Sequence, residues 1–257
     1  HLITHGHATK FSDKKLSAIR NKILCLPIKK QANIFFACSE AVGVALYGDN
    51  YVKSGKVKVI NNAVDIDRFK FNPTVRNRIR RELNIENSFV VGHVGRFNKQ
   101  KNHFFLLDIF AEIIKKKDNS VLMLLGDGPL FSEIKNKAKL LGIENSVMFL
   151  GRKSNIEDYF QAMDVFVLPS FFEGLPVVGV EAQTSGLPCF FSDKITREID
   201  IVNSLFLSIN IPAHKWADTI LESNINYPRD EMYRYVESAD FSIKKEAKKL
   251  EEFYLEL

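Results

Sequence analysis

Three cysteines in 257 residues, Cys25, Cys38 and Cys189, are too few and too far apart for a disulfide framework, and they sit mostly within apolar runs. They also lack the grouping of a metal centre, so a reducing, cytoplasmic setting is expected. No window reaches the roughly 20 apolar residues of a membrane-crossing helix, and no charged-then-apolar secretion signal opens the chain. An initiator methionine is missing as well. His1-Leu2-Ile3-Thr4-His5 reads like the end of a buried strand, which leads us to expect a fragment whose first part is absent. Internal repeats and low-complexity tracts are lacking. What is present is 46% hydrophobic residues, enough for a soluble globular fold with at least one sizeable core.

Acidic residues are scarce at the front of the chain. Residues 1–60 hold 10 Lys and Arg against 3 Asp and Glu, whereas residues 61–257 hold 26 against 28, so the net charge of +5 originates in the first segment. Residues 14–30 there read as a helix, with Leu16, Ile19, Ile23 and Leu26 near one face and Lys15, Arg20, Lys22, Lys29 and Lys30 around them. Such a helix suits peripheral contact with an anionic membrane, or serves as a domain helix with a solvated charged face. The basic stretch has little aromatic interleaving and no recognition motif follows it, so nucleic acid is not expected as a partner.

From residue 89 onward short apolar runs alternate with helical patterns, the mark of a parallel sheet covered on both faces. Strands are predicted at 89–94, 121–125, 147–150, 165–168 and 189–191, and helices at 103–117, 131–141, 155–163, 177–185, 213–222 and 243–255. Further strands are predicted at 33–38 and 57–60, with a helix at 40–46 between them. Asn61-Asn62-Ala63-Val64-Asp65 breaks this pattern. The predicted fold class is therefore α/β, with the remnant of a first α/β domain over 1–62 and a complete doubly wound parallel-sheet domain over 63–257.

In open α/β sheets ligands gather beyond the carboxyl ends of the strands, where glycine lets the backbone turn and come close. Two segments stand at such ends. Glu173 and Glu181 flank Pro176, which is well placed to open a helix, and the first-turn N–H groups near Leu175, Val177 and Val178 suit an anion while the carboxylates suit hydroxyls. Gly95-Arg96-Phe97-Asn98-Lys99-Gln100-Lys101 follows the first strand of the main domain, and Arg96 with Lys101 suits a diphosphate. Gly126-Asp127-Gly128-Pro129 lacks the third glycine of a dinucleotide fingerprint and reads as a tight turn. Asp65-Ile66-Asp67 has the form of a divalent-ion pair but lies in the boundary turn, where aspartates cap, so no metal is expected. His93 reads as a packed strand residue. His5 and His7, at a strand end, are candidates to face a cleft.

The motifs Phe36-Ala37-Cys38-Ser39, Val59 through Asp65, Gly95-Arg96 with Lys101-Asn102, Gly126 through Pro129, and Pro169-Ser170-x-x-Glu173-Gly174 with Glu181-Ala182 occur here in one order. In that order they resemble the retaining glycosyltransferases of family 4, which share the two-Rossmann-domain GT-B fold, and among them the bacterial enzymes that build capsular polysaccharide or exopolysaccharide. The resemblance implies Arg96 and Lys101 on the donor diphosphate, Glu181 on the ribose and Glu173 on the transferred sugar. It further implies the backbone from Gly174 to Val178, with Leu175 and Val177, on the distal phosphate, and the turn Gly151-Arg152-Lys153 on the base. It places His7 over the sugar, and Gly95 in the phosphate loop. The donor implied is a nucleotide-diphosphate sugar, UDP-sugar favoured, and the acceptor a glycan or lipid-linked glycan, with no metal or other cofactor. Ala63 departs from the glycine common in that turn. A truncated nucleotide-sugar-binding module without transfer activity, and a nucleotide-sugar epimerase of the same architecture, are the alternative functions.

Overall fold

The computed structural model describes residues 1–7, 15–25, 27–202, 204–223 and 228–257. Its first part runs β1 (Ile3–Gly6), α1 (Lys15–Cys25), α2 (Ile28–Gln31), β2 (Ile34–Ala37), α3 (Glu40–Tyr47), α4 (Asp49–Lys53) and β3 (Val57–Val59). Then come α5 (Ile66–Phe69), α6 (Pro73–Glu82), β4 (Phe89–Val94), α7 (His103–Lys116), β5 (Ser120–Leu125), α8 (Phe131–Leu140) and β6 (Val147–Gly151). The chain continues through α9 (Ile156–Ala162), β7 (Val165–Leu168), α10 (Val177–Thr184), β8 (Cys189–Ser192), β9 (Ser204–Leu207), α11 (Ala213–Glu222), α12 (Tyr233–Ser238) and α13 (Ile243–Leu255).

Two parallel sheets result, one of order β1-β2-β3 and one of order β6-β5-β4-β7-β8-β9. The second order reverses direction between β4 and β7, which opens a crevice at their carboxyl ends. Strand periodicity explains how this sheet is held. In β5, β7 and β8, Leu122, Leu124, Val165, Val167 and Phe190 face a cluster with α7 and Trp216 of α11, while Met123, Leu125, Phe166, Leu168 and Phe191 face the other cluster with Phe160 and Val180. Successive side chains take opposite faces, so near-continuous apolar strands become buried on both sides.

The single helix expected over 14–30 is two elements in the structure, because Pro27 stands between them, at the N-cap of α2. Lys14 and Leu26 lie outside the described residues. The sequence pattern also misses α4, α5, α6, β9 and α12. The segment β9 is four residues at the sheet edge and only half buried, too short to print an alternation. The start of α6 does carry a signal, Asn72 capping Thr74 and Val75 with Pro73 behind it, but its polar composition hides the helix that follows.

The C-terminal segment returns to the front of the chain. Val64 N donates to Phe241 O at 2.8 Å and Ile243 N to Val64 O at 3.0 Å. From α13 the Phe253 ring meets Phe36 at 5.2 Å, with Lys58 Nζ 4.0 Å from its centroid. The first sheet is thereby strapped to the second.

Candidate active site at the sheet crevice

The loops after β4 and β7, the two strands at the crevice, are fastened to each other by hydrogen bonds. Gln100 O accepts from Phe171 N at 2.9 Å, its Nε2 donates to Phe172 O and Glu173 Oε2, both at 3.0 Å, and Asn102 Nδ2 donates to Pro169 O at 3.1 Å. Lys101 Nζ then meets Glu173 Oε1 at 2.7 Å, with side-chain exposures of 14% and 8%. Asn102, just before α7, adopts a left-handed conformation at φ 55°, which asparagine tolerates better than most residues. A lysine and a glutamate 72 residues apart in sequence are thus held as an ion pair.

A second tier of loops forms the outer wall. Gly95 N donates to Leu125 O at 3.0 Å, Gly126 N to Gly151 O at 2.9 Å, Phe97 N to Asp127 O at 2.9 Å and Leu130 N to Phe97 O at 3.0 Å. These bonds join the ends of β4, β5 and β6 into one rim. Within it Arg96, Arg152 and the turn Gly126-Asp127-Gly128 line an open cavity of about 450 Å³. Arg96 and Arg152 are exposed, unlike Lys101. The glycines of this turn serve backbone approach: a Cβ at Gly128 would stand 2.5 Å from Phe97 O.

The helix α10 opens beside the Lys101–Glu173 pair. Pro176 is its N-cap rather than its first residue, no side chain caps it, and its first turn carries no acid. The first-turn N–H groups of such a helix have no partner within the helix, and the positive end of its dipole suits an anion. Gly174 stands against the first unit: a Cβ there would be 2.6 Å from His7 O. Asn62 Nδ2 donates to Leu175 O at 3.1 Å, a second tie between the units. The His7 ring stands 4.2 Å from that of His5, which in turn edges onto Phe36 at 5.7 Å. Burial, then His7, lowers the His5 pKa.

Asp65 and Asp67 are both engaged. Asp65 accepts from Arg68 N at 3.4 Å as the cap of α5, and Asp67 pairs with Lys70 at 3.0 Å and Lys244 at 2.7 Å. His93 is fully buried, its Nδ1 donating to Val167 O at 2.8 Å, and burial drives its pKa down to about 4. It is a packed neutral histidine.

Residues 75–223, more than half of the chain, match the family described as glycosyl transferases group 1. The chain belongs to that family. It is 38% identical over 196 residues to EpsF of Bacillus subtilis (strain 168), which is named as a glycosyltransferase, covering 75% of this chain and 51% of EpsF. It is 36% identical over 149 residues to the Escherichia coli UDP-Gal:alpha-D-GlcNAc-diphosphoundecaprenol alpha-1,3-galactosyltransferase, covering 56% of this chain and 38% of that protein. Anabaena Alr3699/HepE, solved in complex with UDP and glucose, aligns with a TM-score of 0.83 at 22% identity over 100% of this chain and 72% of HepE. That likeness shows the GT-B type of fold. The chain spans about half or less of the length of these two curated relatives.

In this group 1 glycosyltransferase chain Glu181, on α10, has an environment unlike that of Glu173. Burial raises its pKa to about 7, against the pull of Arg68 and with the help of Glu157. Its Oε2 is buried with no hydrogen-bond partner among the described residues. Arg68 Nη2 instead holds Ser154 O and Glu157 Oε2, each at 2.8 Å, and so ties α5 to the turn after β6. A raised acid pKa means the folded state keeps a proton that the unfolded chain releases. The stability from this group is full below about pH 4.5 and is lost as pH rises toward about 7, at no more than about 1.4 kcal/mol per pH unit. If ribose hydroxyls donate to Glu181, they favour its ionised form. We therefore expect UDP binding near pH 6 to release up to one more proton from the native chain than from Glu181→Gln, read by calorimetry in buffers of different ionisation heat. Equal proton release in both proteins would remove Glu181 from the ribose.

Sequence reasoning misses Gln100, Asn62 and Arg68. Gln100 and Asn62 lie inside the motifs quoted above, but no residue pattern says that a glutamine amide will bridge two loops.

Proposed function

We propose that this chain is the larger part of a retaining glycosyltransferase that moves a sugar from a UDP-sugar to a glycan or lipid-linked glycan acceptor during synthesis of a bacterial surface polysaccharide. Residues 1–62 would belong to the acceptor-side unit and 63–257 form the nucleotide-sugar unit, working at the cytoplasmic face of the cell membrane. The observation that carries the reading is the Lys101–Glu173 pair beside the uncapped start of α10. Here phosphate-binding and sugar-binding chemistry meet within one ion pair.

In this scheme the donor's diphosphate draws Lys101 away from Glu173, and the Glu173 carboxylate accepts hydrogen bonds from the hydroxyls of the sugar. As the bond from the anomeric carbon to the diphosphate oxygen breaks, Lys101, Arg96 and the N–H groups of Val177 and Val178 stabilise the charge growing on the leaving diphosphate. The acceptor hydroxyl bonds to the anomeric carbon on the same face, and its proton passes to a diphosphate oxygen. Gly174 and Leu175 shape the phosphate end, Gly95 lets the phosphate loop turn, and Arg152 borders the base. His7 would close over the sugar from the first unit. No metal is assigned, because Asp65 and Asp67 are occupied by a helix cap and by lysines.

The UDP and glucose bound to HepE and the lipid diphosphate in the name of the Escherichia coli relative support this choice of donor and acceptor. Membrane contact is supported by α1, where Leu16, Ile19 and Ile23 are 84%, 59% and 59% exposed beside Arg20 and Lys22. Calorimetry with UDP, GDP and UDP-sugars, with and without EDTA, tests the donor. We expect UDP to bind better than GDP, EDTA to change nothing, and the sugar moiety to add affinity that Glu173→Ala abolishes. Bare UDP should bind that variant at least as well, because Lys101 is released for the phosphates. Flotation with anionic vesicles, lost on replacing Leu16 and Ile23 by serine, tests the membrane contact. Donor binding with no transfer by the full-length protein would leave a binding module.

A further inference from the structure

One contact between the two units lies outside the donor site. Glu198 sits in the short turn Arg197–Ile199 that follows β8. Its Oε2 accepts from Glu40 N at 2.7 Å and its Oε1 from Ala41 N at 3.0 Å. These are the first two N–H groups of α3, and the third, on Val42, goes to Ser39 Oγ at 3.2 Å. A helix start leaves such groups unpaired and carries positive potential, so a carboxylate matches it well. Here the carboxylate comes from the other unit, steadied by Thr196 Oγ1 at 2.9 Å from Oε1.

The turn that carries Glu198 is fastened to α10. The fully buried Gln183 of that helix donates through Nε2 to Gly179 O at 3.1 Å and Ile199 O at 2.9 Å. Its Oε1 accepts from Ile201 N at 3.1 Å, Val202 N at 2.8 Å and Ser204 Oγ at 3.0 Å. With its donors and acceptor all used, this amide makes the turn a rigid extension of α10. On the other side, Val42 Cγ2 would be 3.1 Å from a Cβ at Gly174, so the first turn of α3 rests on the loop that leads into α10.

We propose that Glu198 is a positioning residue: through it, occupancy at the start of α10 and the setting of the acceptor-side unit move together. Its effect on transfer rests on the glycosyltransferase reading of the site; the clamp between the units does not. Amide hydrogen exchange on this chain tests it. In Glu198→Ala without ligand, exchange at Glu40 and Ala41 should quicken about tenfold, as for a lost helix cap. UDP should protect both the α10 first turn and residues 40–42 in the native chain, but only α10 in the variant, whose UDP affinity stays within about twofold because no phosphate group is touched. Glu198→Gln, which keeps the volume and one acceptor oxygen, should be intermediate and covers the case in which the alanine variant loosens the fold. In the full-length protein we expect a lower kcat at unchanged donor KM. Native exchange at residues 40–42 in both variants, or UDP protection there that survives them, overturns the proposal. If UDP protects nothing in the native chain, the donor-site reading falls, and the ligand-free exchange still judges the clamp.

Discussion

Replacing Lys101 by alanine should weaken UDP binding by about 3 kcal/mol or more, beyond the roughly 1.5–3 kcal/mol typical of one hydrogen bond to a charged group. Two effects add. The variant loses a cation from the phosphates, and it leaves the Glu173 carboxylate, 8% exposed, without its 2.7 Å lysine partner beside an incoming diphosphate. Gln100 still donates to Glu173 Oε2 at 3.0 Å, but a neutral amide does not replace the lysine's charge. The double variant Lys101→Ala, Glu173→Ala should therefore bind UDP about 1 kcal/mol or more better than Lys101→Ala alone, a non-additivity expected of residues in direct contact. Arg96→Ala, at an exposed site open to salt screening, should cost less, about 1–2 kcal/mol. Calorimetric titration of the native chain, Lys101→Ala, Glu173→Ala, the double variant and Arg96→Ala checks this. Strict additivity of the two single changes would mean that the ion pair does not share the phosphate site.

Gly126→Ala should lower the stability of the chain by about 3 kcal/mol or more and abolish detectable UDP binding. Gly126 has φ 132°, a conformation that L side chains rarely adopt, and a Cβ there would overlap the carbonyl oxygen of Gly95. Relief requires parting the loops after β4 and β5, which breaks Gly126 N to Gly151 O and Gly95 N to Leu125 O and moves the wall that carries Arg96 and Arg152. Gly142→Ala is the control. Its φ is also positive, at 67°, yet nothing stands within 4 Å of its Cβ, so only the conformational cost of about 1–2 kcal/mol applies. Thermal unfolding of the two variants separates steric collision from backbone preference. A melting shift for Gly126→Ala no greater than that of Gly142→Ala would mean that the three loops are not locked.

Much of the fold is legible in the chain. The runs at 89–94 and 165–168 form strands over those same residues, because apolar β-rich segments bounded by glycine or proline have few other fates. Helices at 213–222 and 243–255 also keep their expected bounds. Failures have local causes. Pro27 splits the basic helix, and α6 and β9 bury too little apolar surface to show a period. In the site, the residue types at Arg96, Lys101, Glu173 and Glu181 suit a diphosphate and hydroxyls. They do not announce that Lys101 and Glu173 neutralise each other, that Glu181 is half-buried in the field of Arg68 and Glu157, or that Gln100 joins the two loops.

What the amino-acid sequence determined by itself is the parallel α/β architecture and the kinds of group at the strand ends, since period, turn residues and side-chain chemistry are local properties. Only the tertiary structure decided which charges meet. The reversal of strand order between β4 and β7 brings loops 72 residues apart to hydrogen-bonding distance. Whether a carboxylate there is paired, protonated or capping another unit's helix depends on burial and on neighbours that sequence spacing does not specify.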